Sequence, residues 1–416
     1  MKLKIGKLLL IALLIRLVLV PLSFHSDLNN NAIWGIYAQE FGLKGFYDWL
    51  NFGNYARPDY PPLAMVLFLI LRWVWQIIFS FLWKLNLLIP VFPSKLIPWF
   101  ETYGYLSLIK FPGVLADIGI GYVIYKWIKG EGNEKKALSY STLFLFNPAI
   151  IYLSASWGQL DSVVGFFGLL AAVMILKKKY FSALASFFIS IMIKATMVVS
   201  GPIFLLKSLQ DKVSARKVLK VSLFSIILIW ILGNLFIDKS PVIWLIKTYW
   251  VKIIPGAVTL PYINLNAFNF WGMILGLARV KEETVFLGFP LYLWAWSISI
   301  FFFIVVLWNF WKGKDFFYAL MLIFFVAFMF LPRVHERYLY PIFVFFPLVL
   351  IKYPKLTKIF LALSFTFLVN LYHWWWFPRI EPFIIFFDLE TVERGLSLTN
   401  TIFFGILFKG YLKSKN

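Results

Sequence analysis

Long apolar runs, each near the length of a membrane-crossing helix, alternate with short lysine- and arginine-rich clusters along almost the whole chain. A span needs roughly 20 apolar residues to cross a hydrocarbon core of about 30 Å. Backbone polar groups cannot stay unpaired in lipid, so such runs must be helical. Cytoplasmic segments carry the excess of basic residues. That rule places inside the N-terminus with Lys2, Lys4 and Lys7, then 126–136, 177–179, 207–220, 312–314, 352–358 and the C-terminus with Lys413 and Lys415. Between them, spans are predicted at 5–24, 104–127, 138–155, 159–176, 218–237, 288–311, 316–332, 338–351, 357–376 and 396–411. The 338–351 run is short and needs support from its neighbours.

Two stretches break the zigzag. Residues 180–206 are hydrophobic but too long for one comfortable span, and they predict a broken, re-entrant pair with Lys194 near its turn. Residues 61–83 are long enough to span, whereas the return through 85–100 is interrupted by Pro90, Pro93 and Pro98. Proline removes a helix donor and disfavours helical geometry in the residue before it. The 61–100 region is therefore expected to be a hairpin or juxtamembrane structure that starts and ends outside.

The polar segments then fall unevenly. Outside lie 25–60, the turn 154–161, the long loop 238–287, the turn 333–337 and 374–395, while the inner connectors are short and basic. Both termini are expected inside, and any chemistry on the outer face. No internal repeat is visible, which argues against an inverted-repeat transporter. The prediction is an all-α polytopic membrane protein forming one domain over 1–416.

Composition strengthens this picture: 61% of the 416 residues are hydrophobic and 14% charged, against about a quarter charged in a soluble domain. The first apolar run follows lysines as a signal peptide would. No small-residue cleavage site follows it, so it is expected to be a retained helix. Cysteine is absent, which removes thiolate and disulfide chemistry. The net charge of +21 is explained by cytoplasmic lysine bias, and no nucleic-acid partner is expected. With no organellar signal evident, a prokaryotic plasma membrane is expected over endoplasmic reticulum.

Four polar clusters carry candidate chemistry. Asp27 lies just beyond the first span, close to lipid headgroups yet reachable by water; it also suits a plain loop position or a helix N-cap. The same loop ends in Asp59-Tyr60-Pro61-Pro62-Leu63, whose paired prolines give a rigid start to a helix. The turn Arg333-Val334-His335-Glu336-Arg337-Tyr338 packs two guanidiniums and an imidazole together, which suits a phosphate; arginine and tyrosine also serve as interfacial anchors. In Ser156-Trp157-Gly158-Gln159-Leu160-Asp161, Trp157 offers a stacking face and Gln159 and Asp161 offer hydroxyl partners, as a sugar requires. Asp161 alternatively caps the next helix. Asn264-Leu265-Asn266-Ala267-Phe268-Asn269 again mixes amides with aromatics. Lys110 and Asp117, seven residues apart on one span, share a face, and a charge within a span is usually functional or paired inside the bundle. No cluster has metal-ligand spacing, and the three histidines, His25, His335 and His373, lie on separate outer segments.

In order, Asp27, Asp59-Tyr60-Pro61-Pro62-Leu63, Lys110 through Asp117, Trp157-Gly158-Gln159 and Val334-His335-Glu336-Arg337 resemble the GT-C superfamily of integral membrane glycosyltransferases. The nearest branches are the dolichyl-phosphate-glucose-dependent glucosyltransferases of N-glycan assembly and the GPI-mannosyltransferase-like proteins of prokaryotes. The likeness is clearest over 1–345. Where the eukaryotic glucosyltransferases carry a longer aspartate- and histidine-rich motif, this chain has Trp157-Gly158-Gln159-Leu160-Asp161, which favours the prokaryotic branch. The resemblance implies a helix bundle with about ten to twelve transmembrane segments. It also implies a polyprenyl-phosphate sugar donor, and a glycan or lipid-linked acceptor among membrane lipids. Asp27 would be the catalytic base; Lys110, Arg333, His335 and Arg337 would hold the donor phosphate. Asp59, Tyr60, Trp157, Gln159, Asp161, Asn266 and Asn269 would contact substrate, with no metal and no cofactor.

A single base acting on the acceptor means inversion at the anomeric carbon, since retention usually needs a second carboxylate about 5 Å away. Two other readings of the same charges remain: a lipid-linked sugar transporter or flippase, and a non-catalytic glycolipid-binding protein.

Overall fold

The structure is a computed structural model that describes residues 4–48, 51–253 and 260–414, and these are mainly helical. Lys2 and Lys415, and the 254–259 part of the long 238–287 loop, lie outside the described residues. Among the described residues, five helices are long and apolar enough to cross a membrane: Ile5–Leu22, Pro62–Leu88, Leu96–Gly130, Leu291–Trp311 and Pro354–Trp375. The expected 138–155 span is instead a pair, Glu134–Leu145 and Pro148–Trp157, bent by 48°. The bend is local chemistry. Pro148 has no backbone donor, and the Asn147 side chain caps the restarted helix by accepting from Ala149 N.

The other apolar runs form Asp161–Leu176, Tyr180–Ile193, Ala215–Asn234, Phe316–Phe330 and Glu390–Lys413. The 180–206 stretch breaks at Lys194, where the backbone turns extended before the short 3-10 turn Ala195–Ser200 and the helix Gly201–Gln210. The short 338–351 run yields only Tyr340–Val349, every residue of it buried. It packs against Phe316–Phe330, Asp161–Leu176, Glu134–Leu145 and the Tyr105–Gly130 helix, which supply the support its length demands.

The proline-rich return differs from expectation. The interruption is confined to 89–95, and helix resumes at Leu96 with Pro98 in its opening turn, where a missing N–H costs little. Pro62–Leu88 and the start of Leu96–Gly130 pair as two long helices, with Trp75 Nε1 donating to Phe100 O at 3.2 Å and Tyr105 Oη donating to Phe68 O at 2.8 Å.

A buried ion pair ties three helices together. Arg16 Nε lies 3.0 Å from Asp117 Oδ2, both side chains fully buried. Arg16 Nη1 also donates to Ala12 O and Leu145 O, and Ser154 Oγ donates to Asp117 at 2.6 Å. The partner that the intramembrane Asp117 required is thus Arg16, not Lys110.

The two ends of the bundle differ in kind. At one end the basic connectors meet: Lys352 pairs with Asp315 at 2.7 Å, Lys314 donates to Ser414 O, and Gln210 donates to Phe310 O at 3.0 Å. At the other end gather the Asp27–Phe41 helix, the 157–161 turn, the 334–339 turn and the segment following Trp375. Here Asn264–Leu265 pairs in parallel with Val334–His335, and Val285–Phe286 forms a small hairpin with Phe289–Pro290.

Candidate functional site

Asp27 opens the Asp27–Phe41 helix, so its carboxylate sits at the positive end of the helix dipole. Its Oδ2 accepts from Gln159 Nε2 at 2.7 Å and from Trp157 Nε1 at 3.3 Å. Its backbone N–H donates to His25 Nδ1 at 3.0 Å. No described residue donates to Oδ1, and the side chain keeps 37% of its exposure. The carboxylate is therefore oriented on one side and open on the other. Burial lowers the His25 pKa against the opposing pull of Asp27, so its imidazole stays neutral near pH 7 and accepts through Nδ1.

The turn that brings Gln159 and Trp157 to Asp27 depends on Gly158. Its φ is +88°, and a Cβ there would meet Leu28 Cδ2 and Lys110 Cγ at 2.8 Å. Trp157 is not an open stacking platform. Its ring packs against His25 at 4.5 Å and lies 6.1 Å from Trp375, leaving only its N–H for Asp27.

Beside Asp27 lies a cavity of ≈ 240 Å³ lined by Asp59, Tyr60, Lys194, His335, Arg337 and Tyr338 among others. Tyr60 Oη donates to Gln159 Oε1 at 3.3 Å, linking the cavity wall to the residue that holds Asp27. Lys194 Nζ reaches both oxygens of the buried Asp161, at 3.0 and 2.8 Å, and faces the Tyr60 and Tyr338 rings. Arg337 Nη1 donates to Glu336 Oε1 at 2.9 Å. Three buried polar atoms of the 335–337 turn have no hydrogen-bond partners among the described residues: His335 Nδ1, Glu336 Oε2 and Arg337 Nε. His335 Nδ1 and Glu336 Oε2 are 3.8 Å apart, too far for a hydrogen bond. Leaving such groups unpaired costs about 1–3 kcal/mol each.

Charge in this cavity is set by burial and by Arg337. Burial raises the Asp59 pKa, an effect that Arg337 and Lys194 partly offset. Burial and then the Arg337 charge lower the His335 pKa, so the imidazole is neutral near pH 7. Burial works against the Arg337 charge, but Glu336 and Asp27 outweigh it and hold the guanidinium protonated.

An apolar groove of ≈ 400 Å³ opens next to this cavity. Leu63, two residues after the cavity's Pro61, and Ile193, one before its Lys194, line it with Val163 and Phe166, and Ile70 and Leu115 at its walls are about half exposed. A polar pocket with two ion-paired cations, Lys194 with Asp161 and Arg337 with Glu336, thus lies near an apolar groove with half-exposed walls.

Several residues expected at the site are elsewhere. Lys110 is 1% exposed, and its ammonium lies on four backbone carbonyls, those of Val20, Ser23, Ala155 and Ser156 at 2.5–3.1 Å. The π-helical turn Tyr152–Trp157 frees two of those carbonyls, so Lys110 is a structural staple with no donor left for a phosphate. Arg333 pairs with Glu282 and does not line the cavity that holds Arg337. Asn269 caps the Phe270–Leu275 helix and donates to Phe328 O at 3.0 Å. Asn266 turns in the left-handed region and contacts His373 at 2.9 Å. These amides hold the loop together.

Lys194 was not expected among the site residues; a lone lysine inside a 27-residue apolar stretch was the available signal. Buried Glu336, which orients Arg337, was equally legible as the acid inside a basic turn. The fold also assembles a group without sequence spacing: His373, Asp388 and Glu393 bring one ligand-type atom each within 4.8 Å of one another.

No protein-family model matches the chain, and no curated protein matches it significantly.

Proposed function

We propose that the chain is an inverting glycosyltransferase of GT-C type, with about ten to twelve transmembrane segments, moving a hexose from a polyprenyl-phosphate carrier to a hydroxyl acceptor at the outer membrane face. The observation that carries this reading is the junction of three environments. A half-open carboxylate, Asp27, lies beside a polar pocket that holds Lys194 and Arg337, with Arg337 Nε an unpaired buried donor, and an apolar groove begins within two residues of that pocket's lining at Leu63 and Ile193. A polyprenyl-phosphate sugar has the matching parts: an acyclic apolar tail, one negative phosphate and a small polar sugar.

The division of labour follows from the chemistry. The tail lies along Leu63, Val163, Phe166 and Ile193. The phosphate meets Arg337 Nε, with Lys194 and neutral His335 beside it. Asp27 accepts the proton of the acceptor hydroxyl as that oxygen attacks the anomeric carbon, and the bond from that carbon to the phosphate oxygen breaks. The electron pair leaves on the phosphate, where fixed cations in a water-poor pocket stabilise it. A positioned base contributes about 10²–10⁴-fold. Asp59 lines the pocket with Tyr60 and is assigned with it to sugar hydroxyls. The basic connectors gather at the opposite end of the bundle, and the bias of basic residues towards the cytoplasm supports a site on the outer face.

The test is purified protein in lipid with polyprenyl-phosphate mannose or glucose, radiolabelled in the sugar, and a lipid-linked or glycan acceptor. Transfer of label with inversion supports the reading. Saturable donor binding or transmembrane movement of donor without any transfer would replace it with a binding or transport function.

A further inference from the structure

Behind the pocket, on the far side of the Asn264–Leu265 pairing, sit His373, Asp388 and Glu393 on three different segments. His373 ends the Thr357–Trp375 helix, Asp388 follows the short Glu381–Phe387 helix, and Glu393 lies in the first turn of Glu390–Lys413. His373 Nε2 is 3.0 Å from Glu393 Oε1 and 3.6 Å from Asp388 Oδ1. His373 Nδ1 lies 2.9 Å from Asn266 Oδ1. The Asn266 carbonyl oxygen accepts from Nδ1–H, which leaves Nε2 as the ring atom that faces both carboxylates and the one available to a cation held between the three groups. A histidine that donates its other N–H to an oxygen is also the usual second support of a metal-bound imidazole.

We propose that His373 Nε2, Glu393 and Asp388 bind a first-row transition-metal dication of the zinc class. Tetrahedral ligation at about 2.0–2.2 Å places ligand atoms roughly 3.3 Å apart, and the two separations from Nε2 bracket that distance. An imidazole with two carboxylates favours zinc or manganese over magnesium or calcium, which take oxygen. His373 and Glu393 are each 9% exposed, while the Asp388 side chain is 64% exposed, so a solvent molecule completes the coordination from that side. The ion is a clamp and does not touch the reacting groups. It fixes the Glu381–Phe387 excursion between two long helices. Through Asn266, whose bridge reaches His335, it steadies the turn that carries Arg337. The inference does not depend on the proposed transfer reaction.

The experiment measures thermal unfolding and metal content of the detergent-solubilised full chain, stripped with chelator and then titrated with Zn²⁺, with Mg²⁺ as a control. Near-stoichiometric zinc and a rise in Tm of several degrees are expected in the wild type, with no response to Mg²⁺. Asp388→Asn, at an exposed position, should keep the metal-free Tm and weaken zinc binding at least tenfold; Glu393→Gln should weaken it further. A wild-type chain that takes up no zinc shows that an imidazolium ion triad occupies these residues and overturns the proposal. An undiminished response in the Asp388→Asn/Glu393→Gln double variant also overturns it, since the zinc would then sit elsewhere.

Discussion

Gln159 donates its side-chain amide to Asp27 Oδ2 at 2.7 Å, across 132 residues of sequence. The bond aims the carboxylate, and because Tyr60 donates to the same amide's oxygen, it also couples Asp27 to the pocket wall. Gln159→Leu removes a hydrogen bond to a charged group, worth about 1.5–3 kcal/mol. The expected result is a kcat lower by about 10- to 100-fold with donor KM nearly unchanged. Steady-state kinetics at saturating acceptor measure it, and a loss confined to KM would assign Gln159 to ground-state binding instead.

Arg337 and Lys194 border one cavity and Lys110 does not, which makes their mutants distinguishable. Arg337→Ala and Lys194→Ala should each weaken donor binding, and the double variant should deviate from additivity by about 0.5–3 kcal/mol. Lys110→Met should leave donor affinity intact and lower Tm, because four carbonyls lose their shared donor. Calorimetric donor titration of the set decides; fully additive Arg337 and Lys194 effects would separate those two cations.

Much of this arrangement was legible in sequence, for reasons that also explain the misses. Apolar length fixed most helices, and the isolated Lys194 marked the break in 180–206. Asp27, Gln159 and His335–Arg337 stood out in sequence because polar residues concentrated at helix junctions have few structural reasons to be there, and the fold brings Gln159 onto Asp27 and His335 and Arg337 to one cavity. Lys110 was misplaced because a buried lysine has two solutions, an anion or a set of backbone carbonyls. Only the π-helical turn at Tyr152–Trp157, invisible to hydropathy, decides between them. Asn266 and Asn269 failed similarly, since an amide that binds sugar and one that knits a loop read alike. The 61–100 hairpin was legible with its break at Pro90 and Pro93, but its returning arm is more helical than three prolines suggest, because Pro98 falls at a helix start, where proline is tolerated.

The pH dependence of stability should carry a signature of His335. Burial and Arg337 lower its pKa from 6.5, so between 6.5 and the lowered value the unfolded chain binds the proton that the folded chain does not. Stability is thus fully present above about 6.5 and declines as pH falls through that window. His335→Gln should flatten that part of the profile. Denaturation midpoints in detergent from pH 7.5 down to 5 measure it, and an unchanged profile in the variant would locate the titration elsewhere.

The described C-terminal end, Ser414, meets Lys314 at the end of the bundle where the basic connectors gather. A reporter fused after Asn416 should read cytoplasmic, and one inserted at the exposed Leu287–Gly288 hairpin tip should read external. The reverse pattern would move the site to the cytoplasmic face.

The most direct measurement compares wild type with Asp27→Asn, using sugar-labelled polyprenyl-phosphate hexose for both donor binding and single-turnover transfer. The substitution keeps the shape of the side chain and removes its basicity. Donor affinity within a factor of about two, with transfer slower by about 10²–10⁴-fold, is the predicted result. Transfer at the wild-type rate in Asp27→Asn, or its abolition in Asp59→Asn alone, would show that Asp27 is not the base.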